Sequence, residues 1–377
     1  MTLRLGKRYR LHMTRISDAM RSLLASLLLL GWGMLAQAQS APPAQHWDVF
    51  LRRDAQTAGA AMLSFNNLLS GEAIEVAATG SHFTVTSLGV IYLDGLDGSV
   101  KLAQSDGRLR KHPFIDFAPG DHSIDWVVSA DGARIAWTIA RQLADEALMT
   151  TTWLADSDGD NLRELLVDRP RAGIRLLPVA FRPGSEQLIM EVRAIEVAAA
   201  GPYTLRTGLF ALDFAADEAS SRPLPGEQNC YCAVGIGADV MLRLTRSSAG
   251  GFAAEVLALE SGQANVIEAL PLDEYPYAGN LIVNADDSIA MYALSQVGDE
   301  AGSGFRTVLA RIDLLAARQE VVSRRLPTLI RPIAFSEDNS ALLFTTANEG
   351  GTWKLRLAEQ TIIKVADGLY LGRMIEG

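Results

Sequence analysis

The fold of this chain is decided by the stretch Ile124-Asp-Trp-Val-Val-Ser-Ala-Asp-Gly-Ala-Arg-Ile-Ala-Trp137. It reads as a short apolar strand, a tight turn and a second apolar strand, which is the pattern of a β-hairpin. The same pattern returns at residues 178–190, 281–291 and 332–344. The chain therefore repeats one small structural unit, and the spacing of the copies becomes the main evidence for the fold.

The four copies can be aligned on Val128, Phe181, Val283 and Phe335. The intervals between these residues are 53, 102 and 52 positions, so the middle interval holds two units. A period near fifty with paired hairpins is typical of the blades of a β-propeller.

Each of these inner hairpins is followed by a second, more exposed hairpin whose turn is rich in Gly, Asp, Asn or Ser. Seven outer hairpins can be read, at residues 60–77, 99–112, 152–166, 207–224, 252–270, 306–323 and 352–366. Six inner hairpins precede an outer one, near residues 82–93, 123–140, 177–193, 232–246, 279–294 and 329–346. Segments in which apolar and polar residues alternate occupy most of the chain and leave no room for long helices. The sequence therefore predicts an all-β fold.

The first outer hairpin has no inner hairpin before it. Residues 47–51 and 369–374 can supply the missing strands, with the C-terminal strand innermost. The two ends of the chain would then share a blade, which removes an exposed sheet edge. We predict a seven-bladed β-propeller over residues 47–377, with six or eight blades as alternatives because the 82–112 and 229–270 units match the repeat weakly.

The sequence motifs of the repeats resemble those of a known protein family. Phe181-Arg-Pro-Gly, Val128-Ser-Ala-Asp-Gly and Phe335-Ser-Glu-Asp resemble the F-S-P-D-G hairpins of TolB-like, WD-repeat-like propellers. The resemblance covers nearly all of residues 47–374 and concerns the propeller alone, so we expect no counterpart of the separate α/β domain of TolB. The resemblance implies a binding function in the periplasm or outside the cell, often with a protein partner.

The first 38 residues have the order of a secretory signal. Six basic residues precede an apolar run at residues 23–35, which is followed by Ala36-Gln-Ala38. We expect cleavage after Ala38, with residues 39–46 as a short linker. The apolar run is shorter than the ~20 residues of a membrane span. This predicts a periplasmic or secreted protein without stable membrane insertion after cleavage; a retained signal anchor and a start at Met20 are the alternatives.

The charge of the chain restricts its partners. The formal net charge is −10, and removal of residues 1–38 leaves 28 basic and 43 acidic side chains, a net charge of −15. Nucleic acids and anionic membranes both require a basic surface, so they are disfavoured. We expect a monomer that binds a protein or peptide partner.

The two cysteines are Cys230 and Cys232. Export would place them in an oxidising compartment, where a disulfide can form. Residues at this spacing in an extended strand have Cα atoms near the ~7 Å upper limit for a disulfide. A strained bridge and two free buried thiols are therefore both open, whereas a zinc site would need further ligands.

In an antiparallel blade, the long connections between hairpins all emerge at one end of the propeller. Loops on a rigid scaffold commonly carry binding sites, so we predict a site on this loop-rich face. Its candidate residues are aromatic or acidic, and are Phe114, Phe117, Tyr231, Asp273, Glu274, Tyr275 and Tyr277, with Asp116 and Asp121 nearby. This mixture suits a protein or peptide partner, including a cationic one. The alternative is that the aromatic residues are packing and the acids only solvate the face.

A calcium site can be considered at Asp156, Asp158 and Asp160, whose carboxylates could offer hard oxygen ligands. The segment departs from an EF-hand loop because no Glu closes it. It also coincides with the turn of an outer hairpin, where Asp and Gly serve the backbone. We therefore expect a turn, with calcium as the alternative and no other cofactor.

The sequence contains neither a Gly-x-Ser-x-Gly elbow nor a His-Glu-x-x-His pair. No catalytic residue is predicted, and a non-catalytic binding or scaffold module is favoured over an enzyme. The alternatives are a hydrolase or lyase that uses loop carboxylates such as Asp273 and Glu274 at the channel mouth, and a structural part of an envelope complex.

Overall fold

The structure is a computed structural model, and it describes residues 45–376 except residues 55, 58, 144–145, 196–200, 228, 299–303 and 347–349. The predicted signal peptide, its cleavage site and residues 39–44 of the linker lie outside the described residues. Every helix or strand assigned within the described part of the chain is a β-strand, so the all-β prediction is confirmed. These residues accordingly contain no helix of the length and apolarity needed to cross a membrane.

The described chain contains twenty-eight strands. The first six are β1 (Gln45–Arg53), β2 (Ala60–Asn67), β3 (Ala73–Thr86), β4 (Gly89–Asp94), β5 (Val100–Ala103) and β6 (Leu109–Lys111). The next nine are β7 (Asp121–Val128), β8 (Arg134–Gln142), β9 (Ala147–Asp156), β10 (Arg163–Val167), β11 (Arg171–Ala172), β12 (Ile174–Phe181), β13 (Gln187–Ala194), β14 (Leu209–Asp213) and β15 (Ser220–Pro223). The last thirteen are β16 (Ala233–Ile236), β17 (Val240–Arg246), β18 (Phe252–Ala258), β19 (Ala264–Ile267), β20 (Tyr277–Val283), β21 (Ile289–Val297), β22 (Phe305–Asp313), β23 (Arg318–Val321), β24 (Ile330–Phe335), β25 (Ala341–Thr346), β26 (Thr352–Arg356), β27 (Thr361–Ala366) and β28 (Leu369–Glu376).

Antiparallel pairing divides the described strands into seven four-stranded units. Units 3 to 7 are separate sheets, formed by β7–β10 (with β11 beside β9), β12–β15, β16–β19, β20–β23 and β24–β27. Unit 1 has the order β28-β1-β2-β3 and unit 2 has the order β3-β4-β5-β6. The blade number of the whole chain stays a prediction, whereas the hairpin assignments agree with the strands throughout.

Units 1 and 2 share strand β3, which the sequence did not indicate. Its first half pairs with β2 and its second half with β4. The change of partner occurs at Gly80, where a Cβ atom would collide with the carbonyl oxygen of Leu93, and at a bulge around His82, whose φ is 58°. A glycine and a bulge therefore replace the loop that joins other units.

The two ends of the described chain meet in unit 1. β1 pairs with β28 from Gln45 opposite Glu376 to Leu51 opposite Leu369. β28 is the innermost strand of this unit, as predicted, and Trp47 and Val49 of β1 are buried beneath the pairing. The closure by N- and C-terminal strands is thus confirmed, and the first strand starts two residues earlier than the predicted domain.

In units 2 to 7 the second strand is buried on both faces because each unit packs between two neighbours, whereas β1 of unit 1 is buried at alternate positions. Residues 290–295 of β21 are all buried, and the same is true of residues 188–191 of β13. Unit 3 packs on unit 4 through one apolar cluster that includes Ala136, Leu188 and Met190. Strands with this double burial read as continuous apolar runs, which is why the inner hairpins stand out in the sequence.

The units have two distinct ends. We call the turn face the end that carries the turns between the first and second, and between the third and fourth, strands of each unit. We call the opposite end, which carries the remaining connections, the loop face. Val128, Phe181, Val283 and Phe335 each end the innermost strand of their unit at the turn face, and the unit hidden in the 102-residue interval is unit 5, whose innermost strand ends at Ile236.

Candidate functional site

The turn face is strongly acidic. Its described turns, taken as the residues between consecutive strands, carry fifteen acidic side chains against two basic ones, Arg108 and Arg182. The acids of the inner turns are Asp131, Glu186, Asp239, Asp286, Asp287, Glu337 and Asp338. The acids of the outer turns are Glu72, Asp106, Asp158, Asp160, Asp217, Glu218, Glu260 and Glu359. Arginines of adjoining strands offset part of this charge, for example Arg134 at 2.8 Å from Glu186.

Three of these acids occupy the same position in their turns, three residues after the end of an innermost strand. In unit 7, the carboxylate of Asp338 accepts hydrogen bonds from the Ser336 and Ser340 hydroxyls, at 2.7 and 2.8 Å. These bonds lower the pKa of Asp338 to about 2. Hydrogen bonds from serine hydroxyls likewise lower the pKa of Asp131 and that of Asp286. All three carboxylates are therefore ionised at neutral pH.

A central cavity of about 730 Å³ is lined by innermost strands and opens among the inner turns of the turn face. Its walls are mostly apolar, with Val234 and Ile282 among them, and include one cation, Arg206; its rim carries Asp286 and Glu337. The Glu337 carboxylate is paired with Arg373, whereas the Asp286 carboxylate accepts a 2.6 Å hydrogen bond from Ser288. The cavity thus combines an apolar interior with an acidic mouth.

The predicted loop-face residues divide into buried and exposed members. Tyr275 is 2% exposed, and its hydroxyl accepts a 3.0 Å hydrogen bond from the Arg325 guanidinium, so it belongs to the core and its assignment to a binding surface was wrong. Tyr277 is half-buried and packs against Gly201. Asp273 and Glu274 are exposed, and the Glu274 carboxylate lies 3.6 Å from Arg325.

The remaining loop-face candidates lie elsewhere on the ring. Phe114 and Phe117, both half-buried, precede unit 3 and pack into the apolar cluster between units 2 and 3. Phe114 and Asp116 line a groove of about 420 Å³ that none of the other predicted residues lines. Tyr231 is exposed and precedes unit 5. The predicted residues therefore do not converge on one site, because they belong to connections of different units.

Cys230 and Cys232 are paired in the structure, and their Cα atoms lie 5.4 Å apart. Cys232 is buried, and its backbone pairs with that of Arg206 from the connection between β13 and β14. The pair therefore lies where two loop-face connections meet.

The calcium hypothesis for Asp156, Asp158 and Asp160 finds no support in the geometry. Among the described residues, no three His, Cys, Asp or Glu side chains are grouped closely enough to hold a metal ion. Asp156 accepts a 2.6 Å hydrogen bond from Asn161, and Asp158 accepts one of 3.0 Å from the backbone of Asp160. The Asp156 and Asp158 carboxylates thus accept hydrogen bonds within a turn, and calcium binding stays an alternative prediction.

A buried charge cluster near the loop face was not predicted from the sequence. Glu191 is 1% exposed, and its carboxylate accepts hydrogen bonds from Arg193 at 2.7 Å and Arg206 at 2.9 Å. It also accepts a bond from the Thr207 backbone N–H. Since Arg206 lies in the long connection after β13, the cluster anchors that connection to the sheet. A Glu within an apolar strand was the one available signal.

Comparison with known proteins identifies the architecture. No family model matches the chain, and no curated protein matches its sequence. Among solved structures, an oligogalacturonate lyase in complex with manganese is similar at 11% identity and a TM-score of 0.50, covering 87% of this chain and 98% of that one. TolB from Acinetobacter baumannii has 14% identity and a TM-score of 0.42, covering 84% and 71%. The dihydro-heme d1 dehydrogenase NirN has 13% identity and a TM-score of 0.45, covering 89% and 76%.

Identities this low establish the fold alone. The described strands, their closure through β1 and β28, and the likeness to the lyase agree on one architecture. The chain is a β-propeller, which is the fold implied by the resemblance to TolB-like propellers.

Proposed function

We propose that the protein is an exported, monomeric, non-catalytic binding module that holds a cationic segment of a protein or peptide partner at its turn face. The observation that carries this proposal is the excess of fifteen acidic over two basic side chains in the described turns, around the mouth of the central cavity. Negative charge concentrated on one face of a rigid protein speeds its association with a cationic partner. The contact surface differs from the loop face that the sequence suggested.

The cavity fits a side chain or a short segment better than a chemical reaction. Its volume of about 730 Å³ lies within the range of ligand sites, and its walls are apolar with few polar groups. A general acid would need a carboxyl pKa raised toward neutrality. The shifts resolved for Asp131, Asp286 and Asp338 at the inner turns go the other way, which supports charge recognition over catalysis.

A charge-reduction series tests the surface. The double variant Asp286→Asn with Glu337→Gln removes two charges at the cavity mouth. Its matched control, Glu72→Gln with Glu359→Gln, removes two charges from outer turns of the same face. Binding of an immobilised lysine-rich peptide should weaken with salt and should weaken more in the first variant than in the control.

Equal effects of both double variants, or binding that salt leaves unchanged, would contradict a site at the cavity mouth. A stoichiometric partner that co-purifies from the native envelope and is displaced by the same peptide would support the proposal with the natural ligand. Export and cleavage after Ala38 have a separate test, which is mass determination of the N terminus of the protein recovered from the producing cells.

A further inference from the structure

A groove on unit 3 combines aromatic rings with one carboxylate that has no counter-ion among the residues the structure describes. The groove has a volume of about 420 Å³ and is lined by Phe114, Trp137, Trp153 and Glu164, among others. It lies on the face of unit 3 that is directed toward unit 2, away from the central cavity. Phe114 was predicted to lie on a binding face, whereas no role was predicted for Trp137, Trp153 or Glu164.

Strand register brings these side chains into one row. Trp137 of β8 stands directly opposite Trp153 of β9, and Trp153 stands opposite Glu164 of β10. Directly opposed residues of antiparallel strands project to the same face of the sheet. The two indole rings are nearly parallel, with centroids 6.5 Å apart and an angle of 15° between their planes.

Phe114 closes one side of the row. Its ring centroid lies 5.8 Å from that of Trp137 and 4.5 Å from that of the buried His112. Gly159, in the turn after β9, lies so close that a Cβ atom there would come within 2.8 Å of the Phe114 ring. Phe114 is thus fixed by contacts on several sides, and the groove is a formed feature of the fold.

Of the charged side chains that line the groove, two form ion pairs within the described chain and one does not. Asp116 is paired with Lys111 at 2.8 Å, and Arg141 is paired with Asp121 at 3.0 Å. The carboxylate of Glu164 makes no ion pair with any described residue. A negative charge beside indole faces creates a place where a cation is attracted both by the carboxylate and by the ring quadrupoles.

Unit 7 shows what this arrangement holds when the chain itself supplies the cation. Trp353 of β26 occupies the position of Trp153, and it stands opposite Phe344 on one side and Lys364 on the other. The Lys364 ammonium lies 5.8 Å from the centroid of the Trp353 ring. Eleven positions separate each tryptophan from its partner on the next strand, so Glu164 stands where unit 7 has its lysine.

We propose that the groove formed by Phe114, Trp137, Trp153 and Glu164 binds a primary alkylammonium group supplied by another molecule, in the place that Lys364 takes in unit 7. The ammonium group would lie over the Trp153 indole and pair with the Glu164 carboxylate, while its alkyl chain contacts the Phe114 ring. The class of ligand is a lysine side chain of a partner.

Titration of the protein with Nα-acetyl-lysine amide, followed by NMR of the indole N–H signals, tests this site. We expect a saturable shift of the Trp153 signal, identified by its loss in Trp153→Phe, and no such shift with the uncharged Nε-acetylated form of the same probe. Glu164→Gln should weaken binding by about threefold, as expected for one solvent-accessible charge pair. Glu164→Lys should abolish it, because the new ammonium group would fill the groove.

The control variant is Glu359→Lys, which makes the same change of charge in an exposed turn of unit 7. It should leave the affinity unchanged. The proposal is wrong if the charged and acetylated probes shift the signals equally, if neither produces a saturable shift, or if Glu164→Lys binds as the unsubstituted protein does. None of these outcomes depends on the cavity at the turn face.

Discussion

Arg373 on the last strand donates hydrogen bonds from its guanidinium to both carboxylate oxygens of Asp48 on the first strand, at 2.8 and 3.4 Å. The two residues are 325 positions apart in the sequence and stand directly opposite each other in the pairing of β28 with β1. The ion pair raises the pKa of Arg373 and joins the two ends of the chain at the point where the ring closes.

Closure should therefore be necessary for folding. Ending the chain at Gly368 removes β28 and uncovers Trp47 and Val49, so we expect loss of the cooperative urea transition followed by tryptophan fluorescence. Arg373→Met should be milder, at about 1 kcal/mol, because the pair is partly exposed to solvent. Arg356→Met, in an exposed position, is the control. A cooperative transition in the truncated chain would show that closure is dispensable.

Tyr275 should behave as a core residue. Tyr275→Ala empties a fully buried site and should lower the free energy of unfolding by about 3–5 kcal/mol. Tyr275→Phe keeps the ring and loses the hydrogen bond from Arg325, so it should cost about 1 kcal/mol. Urea denaturation measures both. If Tyr275→Ala is as stable as the unsubstituted protein, the residue is on the surface after all.

The Glu191 cluster should contribute more stability than an exposed ion pair. Glu191→Ala leaves two guanidinium groups without their shared carboxylate, and we expect a loss of about 3 kcal/mol. The control is Glu186→Ala, whose carboxylate is half exposed beside Arg134 and should cost at most about 1 kcal/mol. Thermal or chemical denaturation compares the two variants, and equal losses would contradict a special role for the cluster.

Stability should fall between neutral and mildly acidic pH because of His112. Burial, with a smaller effect of the Arg110 cation, lowers the pKa of His112 from 6.5 to about 4. In this window the unfolded chain binds a proton that the folded chain does not, so the stabilisation is complete above pH 6.5 and is lost as the pH falls toward 4.

The expected loss is about 2 kcal/mol between pH 7 and pH 5. Urea denaturation at several pH values measures it, and His112→Gln should flatten the slope in this range. A variant with the slope of the unsubstituted protein would assign the pH dependence to other groups.

Local patterns predicted the architecture well. The positions aligned in the sequence, such as Val128 and Phe335, mark the same strand end in their units because turn residues and apolar runs act over only a few positions. The pairing of the chain ends was also predictable, since one outer hairpin lacked inner strands. The shared strand β3 was missed because a glycine and a bulge took the place of a loop.

The candidate sites were less accessible to sequence reasoning. Tyr275 was assigned to the surface because it lies in a connection, yet it is buried and Arg325, from the connection between β23 and β24, donates a hydrogen bond to its hydroxyl. The acidic turn face was overlooked because no turn contributes more than two carboxylates, and several of them, such as Asp131 and Asp338, have a local hydrogen-bonding role. The total negative charge of the turns becomes apparent only when all the turns are known to lie at one end of the propeller.

The repeat, the hairpins and the closing strands could be predicted before the structure was known, because they depend on periodicity and turn chemistry between near neighbours in the chain. The three-dimensional structure was needed to show which charges share a face, which aromatic residues are covered, and that Trp153 lies beside Glu164 in the groove that Phe114 also lines. Those relationships join residues of different strands and connections, whose contacts are fixed by strand register and by the packing of one unit on the next.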